Sequence, residues 1–386
     1  MMMQIAPSKT LEFHAKISEF VRSGRKIISL GLGEAECGTP RHIVDAGIKA
    51  LNEGRTKYSS SAGLLELREK IAEKLFNDNN IDAKSNEIVV TPGAKNALYL
   101  SCLSLLNDGD EVVLIRPCYV SNYPIVKLAN SNTVIKEVDL IKPEFELDLD
   151  AIEKSINSRT KLLFLNTPHN PTGKMIRQYE FDFLVDLLQK YPKLHILSDE
   201  VYERIITGSC KHLSLASNQN ISERVITVNG FSKAYFMTGW RVGYLHSKSK
   251  YLISKAVKIQ QHINTNTAVF VQMAALAALN GDQNVYLNYI EQLKERKMIY
   301  EDFLNTNNYL TGSSYEGGYF TFIDISKTRL DGDEFATRLL EEKGVAVVPG
   351  VVFGEKYTDF FRLSFVNTTE LFEDGLYRIS NFVKEL

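Results

Sequence analysis

Two cations eight residues apart mark the part of this sequence where chemistry is most concentrated. They are Lys233 and Arg241 in Val228-Asn-Gly-Phe-Ser-Lys-Ala-Tyr-Phe-Met-Thr-Gly-Trp-Arg-Val-Gly-Tyr244. The run before them, Arg224-Val-Ile-Thr-Val228, has the β-branched, apolar character of a buried strand. Asn229-Gly230 ends it, so Lys233 falls just past a strand's carboxyl end, where open α/β sheets bind ligands. A lysine there has two readings. It is a solvated surface cation, as most of the 45 lysines and arginines must be. Or it is a nucleophilic amine forming a Schiff base with a carbonyl cofactor, helped by neighbouring positive charge and partial burial.

Other reactive or binding residue types stand at comparable places. Pro92-Gly93-Ala94-Lys95 follows the strand-like Glu87–Thr91 and opens a helix. A helix start of small residues presents unpaired N–H groups and a positive dipole end, which suits an anion such as phosphate. Tyr119 follows a strand predicted over 110–115; it either stacks on a flat ring or is a core residue among 18 tyrosines. Asn170 lies in Asn166-Thr-Pro-His-Asn-Pro-Thr-Gly173, an irregular turn that could aim it as a donor. Asp199 and Tyr202 follow the strand predicted over 194–197, and a carboxylate ending a buried strand invites a cationic partner. Gly33 would let backbone approach a ligand closely, or is simply a turn glycine. Arg362, alone among Phe360, Phe361, Leu363 and Phe365, is a rim charge or a bidentate clamp for a carboxylate, and its isolation favours the clamp.

The elements that must position these residues are legible as periodicity. Strand and helix patterns alternate from about 87 to 245, predicting a parallel sheet with helices on both faces, and the polar residues gather at its strand ends. A helix is predicted over 9–23, another from Leu64 to Phe76, and a loop over 57–63. After 245 come helical stretches (248–263, 267–280, 284–304), strands at 317–324, 345–349 and 360–365, and helices at 333–343 and 370–386. That texture predicts a second, smaller α+β domain. Composition narrows the class further. With 386 residues, 44% hydrophobic and 24% charged, the chain has material for two domains. A net charge of −2 without a basic block points away from nucleic acid and from anionic membranes. Cys37, Cys102, Cys118 and Cys210 have no metal spacing and fit a reducing compartment. Met1-Met-Met-Gln4 lacks a signal-peptide pattern, and 267–279 is short for a membrane span, so a cytoplasmic location is expected.

Taken together these residues resemble the fold-type I, class I/II pyridoxal-phosphate (PLP) aminotransferases, nearest the aspartate, aromatic, methionine and kynurenine branch, from Gly31 to the final helix. The resemblance implies a large α/β PLP domain over 44–282 with a mostly parallel sheet. A small α+β domain over 283–386 joins an N-terminal segment, 1–43. Asn229-Gly-Phe-Ser232-Lys233 resembles the Schiff-base segment, with Lys233 and Ser232 at the cofactor and Arg241 on its phosphate. Gly93, Ala94 and Lys95 match the phosphate cradle. Asn170 and Tyr202 match the pair on the phenolic oxygen, Asp199 the partner of the ring nitrogen, and Tyr119 the stacking position. Tyr58 resembles a tyrosine reaching the neighbouring subunit's phosphate, which implies a homodimer with shared sites. Gly33 and Arg362 resemble the α-carboxylate site.

The implied reaction is ping-pong transamination between an L-amino acid and a 2-oxo acid, with Lys233 as general base and acid. A β-elimination (C–S lyase) or biosynthetic cyclisation on the same scaffold would use the same residues. A PLP-binding regulatory module would need a basic DNA-binding domain ahead of Gly31. Three positions depart from the family pattern: Cys37 where an aromatic is usual, Tyr119 where many members have tryptophan, and His169 before Asn170. All three are expected to bear on the substrate side.

Overall fold

Strands buried on both faces read as continuous apolar runs, and this chain has a set of them. The computed structural model describes residues 19, 20, 22 and 24–386. The helix predicted over 9–23 lies outside the described residues except for Glu19, Phe20 and Arg22, which are helical. In chain order the strands are β1 (Ile28–Ser29), β2 (Ile88–Thr91), β3 (Glu111–Arg116), β4 (Val134–Asp139), β5 (Thr160–Asn166), β6 (His195–Asp199) and β7 (Val225–Gly230). There follow β8 (Gly243–His246), β9 (Thr311–Gly312), β10 (Phe320–Asp324), β11 (Val345–Ala346), β12 (Val348–Pro349) and β13 (Phe360–Ser364).

Seven strands form the main sheet in the order β2-β8-β7-β6-β5-β3-β4. Every neighbouring pair is parallel except those of β8, which runs antiparallel to β2 and to β7. The expected α/β fold is therefore present, with one reversed strand. That reversal has a local cause. The twelve residues between β7 and β8 (231–242) carry Lys233 out of the sheet edge and Arg241 back to it without forming a helix, and a strand that returns without a crossover helix pairs antiparallel. The edge strand β4, Val-Ile-Lys-Glu-Val-Asp, is half exposed and charged, so its composition gives no strand signal comparable to its neighbours.

A four-stranded antiparallel sheet, β12-β13-β10-β9, belongs to the smaller C-terminal part. The stretch predicted as one strand over 345–349 is split: Val345–Ala346 pairs with β1, and Val348–Pro349 pairs with β13. Backbone N–H groups of Leu30 and Ser364 donate to Ala346 and Leu30 carbonyls (2.8 Å each), so the strand before Gly31 is stitched to this small sheet. An aromatic cluster, including Phe335, Phe361, Phe365, Phe372 and Phe382, fills the small core. Among the described residues no helix is long and apolar enough to cross a membrane.

Candidate active site

The carboxyl ends of β5, β6 and β7 set three side chains side by side. Register pairs Asn166 with Asp199 and Asp199 with Val228, two residues before β7 releases the chain toward Lys233. Lys233 Nζ donates to the Gly33 carbonyl at 2.6 Å. It lies 5.4 Å from the Tyr202 ring centre and 5.7 Å from that of Tyr319. The Tyr319 hydroxyl donates to the Lys233 backbone carbonyl at 2.9 Å, which fixes the turn carrying the amine. Burial first, then the Arg362 charge, lower the Lys233 ammonium to about 8, against the pull of Glu34 and Asp199. An amine so placed is partly neutral near neutral pH and can act as nucleophile or base.

Asp199 is buried, and among the described residues its carboxylate receives one long bond, from the Val201 N–H at 3.4 Å. Burial pushes its carboxyl up to about 7 in spite of Lys233 nearby. A carboxylate with a close cationic partner would be held low instead. The backbone of Asp199 is well fixed: its carbonyl accepts from Thr167 N–H (3.1 Å) and from Asn166 Nδ2 (2.9 Å). Tyr202 is buried beside it, and burial raises its hydroxyl above the ordinary tyrosine value.

Arg362 arrives from the small sheet, at the centre of β13 opposite Phe322 and Val348. Its guanidinium carbon lies over the Phe320 ring, 3.8 Å from the centroid. One Nη donates to Asn170 Oδ1 (3.0 Å), the other to the Gly31 carbonyl (2.8 Å). Nε is buried without a hydrogen-bond partner among the described residues. Burial lowers this guanidinium to about 10. Asn170 is itself aimed by its N–H bond to Asn166 Oδ1, 2.7 Å. Tyr119, half-buried, is electrically close to Arg362 and Tyr202 and carries Lys95 Nζ 5.6 Å above its ring.

At the start of helix Ala94–Leu105, Gly93 has φ +82, and a Cβ there would fall 2.4 Å from Arg241 Nη2. Glycine is required for that approach. Arg241 is held by donation to the Thr238 carbonyl (2.8 Å). Arg241 therefore adds a full positive charge to the helix's partial one, an anion site of two components. Ala94 and Ser232 are half-buried at the same edge.

One residue lies apart from the rest, and one expectation on a single residue changes. Tyr58 is not with the others: its side chain is 87% exposed, beside Asn264, Asn266 and Phe270 in an open surface cleft. His169 does not face a substrate. It is buried, its Nδ1 bonds Thr172 Oγ1 (2.8 Å), and it lines an apolar cavity with Ile115, Leu140 and Phe145. Burial drives its imidazole down to about 4, so it stays neutral. The alternating direction of the turn decides this, with Asn170 taking the ligand side. Asn166, Gly31, Tyr319 and Phe320 were passed over as site residues. Asn166 had a signal, as the first polar residue after an apolar strand; the others act through carbonyls or ring faces, which residue type does not announce.

A buried carboxylate without an ion-pair contact among the described residues, a guanidinium with an unused Nε, an amine held near 8 and a doubled anion site together fit pyridoxal phosphate and an amino acid. The complementary groups are a ring N–H, an α-carboxylate, an aldehyde and a phosphate.

Known proteins agree. The family profile for aminotransferase class I and II matches residues 25–379. The chain is 36% identical to an aspartate aminotransferase of Bacillus subtilis, covering 99% of this chain and 97% of that one. It is 39% identical to a probable aspartate aminotransferase of Methanocaldococcus jannaschii (90% and 91% covered). The solved aromatic aminotransferase of Pyrococcus horikoshii superposes with a TM-score of 0.89 at 35% identity, covering 96% of this chain and 99% of that one. The chain belongs to the class I and II aminotransferases and is a pyridoxal-phosphate-dependent transaminase.

Proposed function

We propose that Lys233 is the residue joined to PLP and that Arg362 grips the substrate's α-carboxylate. The observation carrying this reading is the buried Arg362 guanidinium with a free Nε and no carboxylate partner among the described residues, 3.8 Å over Phe320 and bridged to Asn170. A planar fork lacking an anionic partner in a buried site is matched to a carboxylate. Bound at Lys233, PLP supplies an electron sink that lowers the cost of removing the substrate's Cα proton. Lys233 Nζ, freed when the substrate's amine replaces it on the cofactor's aldehyde carbon, would take that proton, and its depressed proton affinity lets it be neutral when it does so. Asp199 holds the ring N–H, and its raised proton affinity is quenched once that cation pairs with it. Tyr202 and Asn170 orient the phenolic oxygen, and Tyr119 covers the ring. Gly93, Ala94, Lys95, Ser232 and Arg241 hold the phosphate, and Gly33 brings its backbone against the substrate.

The outward position of Tyr58 supports a homodimer in which this tyrosine completes the partner's site. Mixing Tyr58→Phe with Lys233→Ala protomers tests it, provided Tyr58→Phe is itself impaired: one hybrid site then carries both native groups and regains activity, and no recovery refutes sharing. We place the boundaries of the large unit at 44–282 and of the small one at 283–386 with 1–43, and the protein in the cytoplasm. Aspartate is the proposed first donor, supported by the relatives named aspartate aminotransferase; the aromatic enzyme keeps aromatic donors as the second choice. A panel of amino acids and 2-oxo acids, followed by the cofactor's absorbance in each half-reaction, decides. Full inertness toward every pair would overturn the assignment of these residues.

A further inference from the structure

Asp199 and Tyr202 are three residues apart, and so are Glu200 and Glu203, one position on. The turn between β6 and Ile205 therefore has two polar faces. One presents Asp199 and Tyr202 to the site. The other sends two carboxylates into the protein, with Glu200 0% and Glu203 8% exposed. Buried charge is costly unless paired and hydrogen-bonded, and here both carboxylates are.

Glu200 accepts from Ser198 Oγ (2.8 Å), Ser214 Oγ (2.6 Å) and His212 Nε2 (2.9 Å). Glu203 accepts from the Lys74 ammonium and from Asn79 Nδ2 (2.6 Å). Two further bonds close the lattice: Asn79 Nδ2 to Ser214 Oγ (2.7 Å) and Lys74 Nζ to Asn79 Oδ1 (2.7 Å). Lys74 and Asn79 come from the helix Leu65–Asn79, His212 and Ser214 from the loop before 215, so three separate segments converge. Glu200, Glu203 and His212 bring ligand atoms within 4.8 Å of one another, a spacing that could suit a metal. The Lys74 ammonium bonded to Glu203 already supplies the cation. Of the lattice's side chains, His212 keeps its buried Nδ1 without a hydrogen-bond partner among the described residues.

We propose that Glu200 and Glu203 are positioning residues for Asp199 and Tyr202, with Lys74, Asn79, His212 and Ser214 fixing them in turn. The proposal rests on the reading of Asp199 and Tyr202 as cofactor contacts. The turn has left the sheet at Asp199, and the backbone bonds within it are local: Glu203 N–H to Glu200 (3.0 Å) and Ile205 N–H to Tyr202 (2.7 Å). Local bonds keep its shape but not its tilt against the sheet. On this side the Glu200 N–H bond to Val228 (2.9 Å), the two carboxylates and Arg204, bonded to Gln283 Oε1 (2.8 Å), to the Tyr235 hydroxyl and to Asp78, tie it outward. A carboxylate held from three directions permits little tilt, and a tilt of the turn moves both contacts together. Displacements of about 1 Å in such a site cost on the order of a hundredfold in rate.

The test compares holoenzymes of wild type, Glu200→Ala, Glu200→Gln and Ser214→Ala. Visible circular dichroism of the bound cofactor reports ring orientation, and PLP release reports grip; thermal melting reports the fold separately. Glu200→Ala is expected to lower kcat roughly ten- to a hundredfold, with KM for the amino acid unchanged because Arg362 is untouched. Its cofactor dichroism weakens and PLP leaves faster. Glu200→Gln restores most of this, since its amide oxygen still accepts from Ser214 Oγ and His212 Nε2 while its amide N–H donates to the Ser198 hydroxyl. Ser214→Ala loses a single oxygen and shows a smaller loss of the same kind, which also serves if Glu200→Ala does not fold. Wild-type dichroism and PLP release in Glu200→Ala, or in Ser214→Ala when that variant alone folds, with only the melting temperature lowered, would overturn the proposal. Glu200→Gln as impaired as Glu200→Ala would assign the effect to charge and overturn it too. A wild-type enzyme whose cofactor is not on Lys233 would instead refute the parent reading.

Discussion

Two buried clusters of charge lie back to back in this protein, and they differ in whether their charges are met. Around Lys233, Asp199 and Arg362 the groups sit at perturbed proton affinities: the amine near 8, the carboxyl near 7, the guanidinium near 10, each displaced mainly by burial. Around Lys74, Glu203 and Glu200 the carboxylates are paired. Burial of Glu203 is outweighed by Lys74, His212 and Asn79, and its carboxyl is lowered to about 2. Charges left unsatisfied by the fold imply a ligand that satisfies them, whereas charges satisfied internally hold the fold. The same helical-type spacing in residues 199–203 serves both.

The largest expected effect separates the clusters directly. Lys233→Ala should lose turnover by on the order of 10⁴-fold or more while its apoenzyme melts no lower than wild type. Borohydride reduction followed by peptide mapping should label Lys233 in the native enzyme; a label at Lys95 or Lys57 would break the comparison at its root. Lys74→Met should do the reverse, leaving Glu203 buried and unpaired and lowering stability by about 3–5 kcal/mol in denaturant titration. A Lys74→Met protein as stable as wild type would show that the second cluster is not closed.

Arg362→Lys replaces a fork with a point charge and should lower kcat/KM by about 2–5 kcal/mol, equally for every amino acid because all share the α-carboxylate. A loss confined to one substrate class would mean that Arg362 reads a side chain. Asp199 sharpens the comparison through pH. Its folded value of about 7 lies above its ordinary 3.8, so between about pH 4 and 7 the folded apoenzyme keeps a proton that the unfolded chain releases. Apoenzyme stability should therefore fall as pH rises through that window and level off above it. Asp199→Asn removes the penalty and should stabilise the apoenzyme by about 2–4 kcal/mol at pH 8 but little at pH 4. The holoenzyme of this variant should lose most turnover. Equal melting temperatures of the two apoenzymes at pH 8 would mean that Asp199 already has a partner. The smallest effect belongs to Cys37→Phe, which should reorder preferences among amino acids by about 1–3 kcal/mol while PLP binding holds.

Much of this was written in local sequence. Strand-to-loop transitions at Gly93, Tyr119, Asn170, Asp199 and Lys233 were visible because buried parallel strands are short apolar runs, and the first polar residues after them fall at one edge of the sheet. The eight-residue interval from Lys233 to Arg241 is likewise local, and so is the Asp199–Tyr202 spacing. Tertiary structure decided what depends on distant partners. Arg362 meets Asn170 across 192 residues, and Lys74 meets Glu203 across 129, which no periodicity encodes. Strand β4 gives no apolar signal because an edge strand need not be apolar, and β8 reverses because the chain from β7 returns through an irregular loop and not a crossover helix. His169 and Asn170 stand next to each other in sequence and point to different places. Tyr58 lies exposed, away from its own chain's site. Residue type sets what each of these side chains can do; only packing sets which neighbour, or which ligand, completes it.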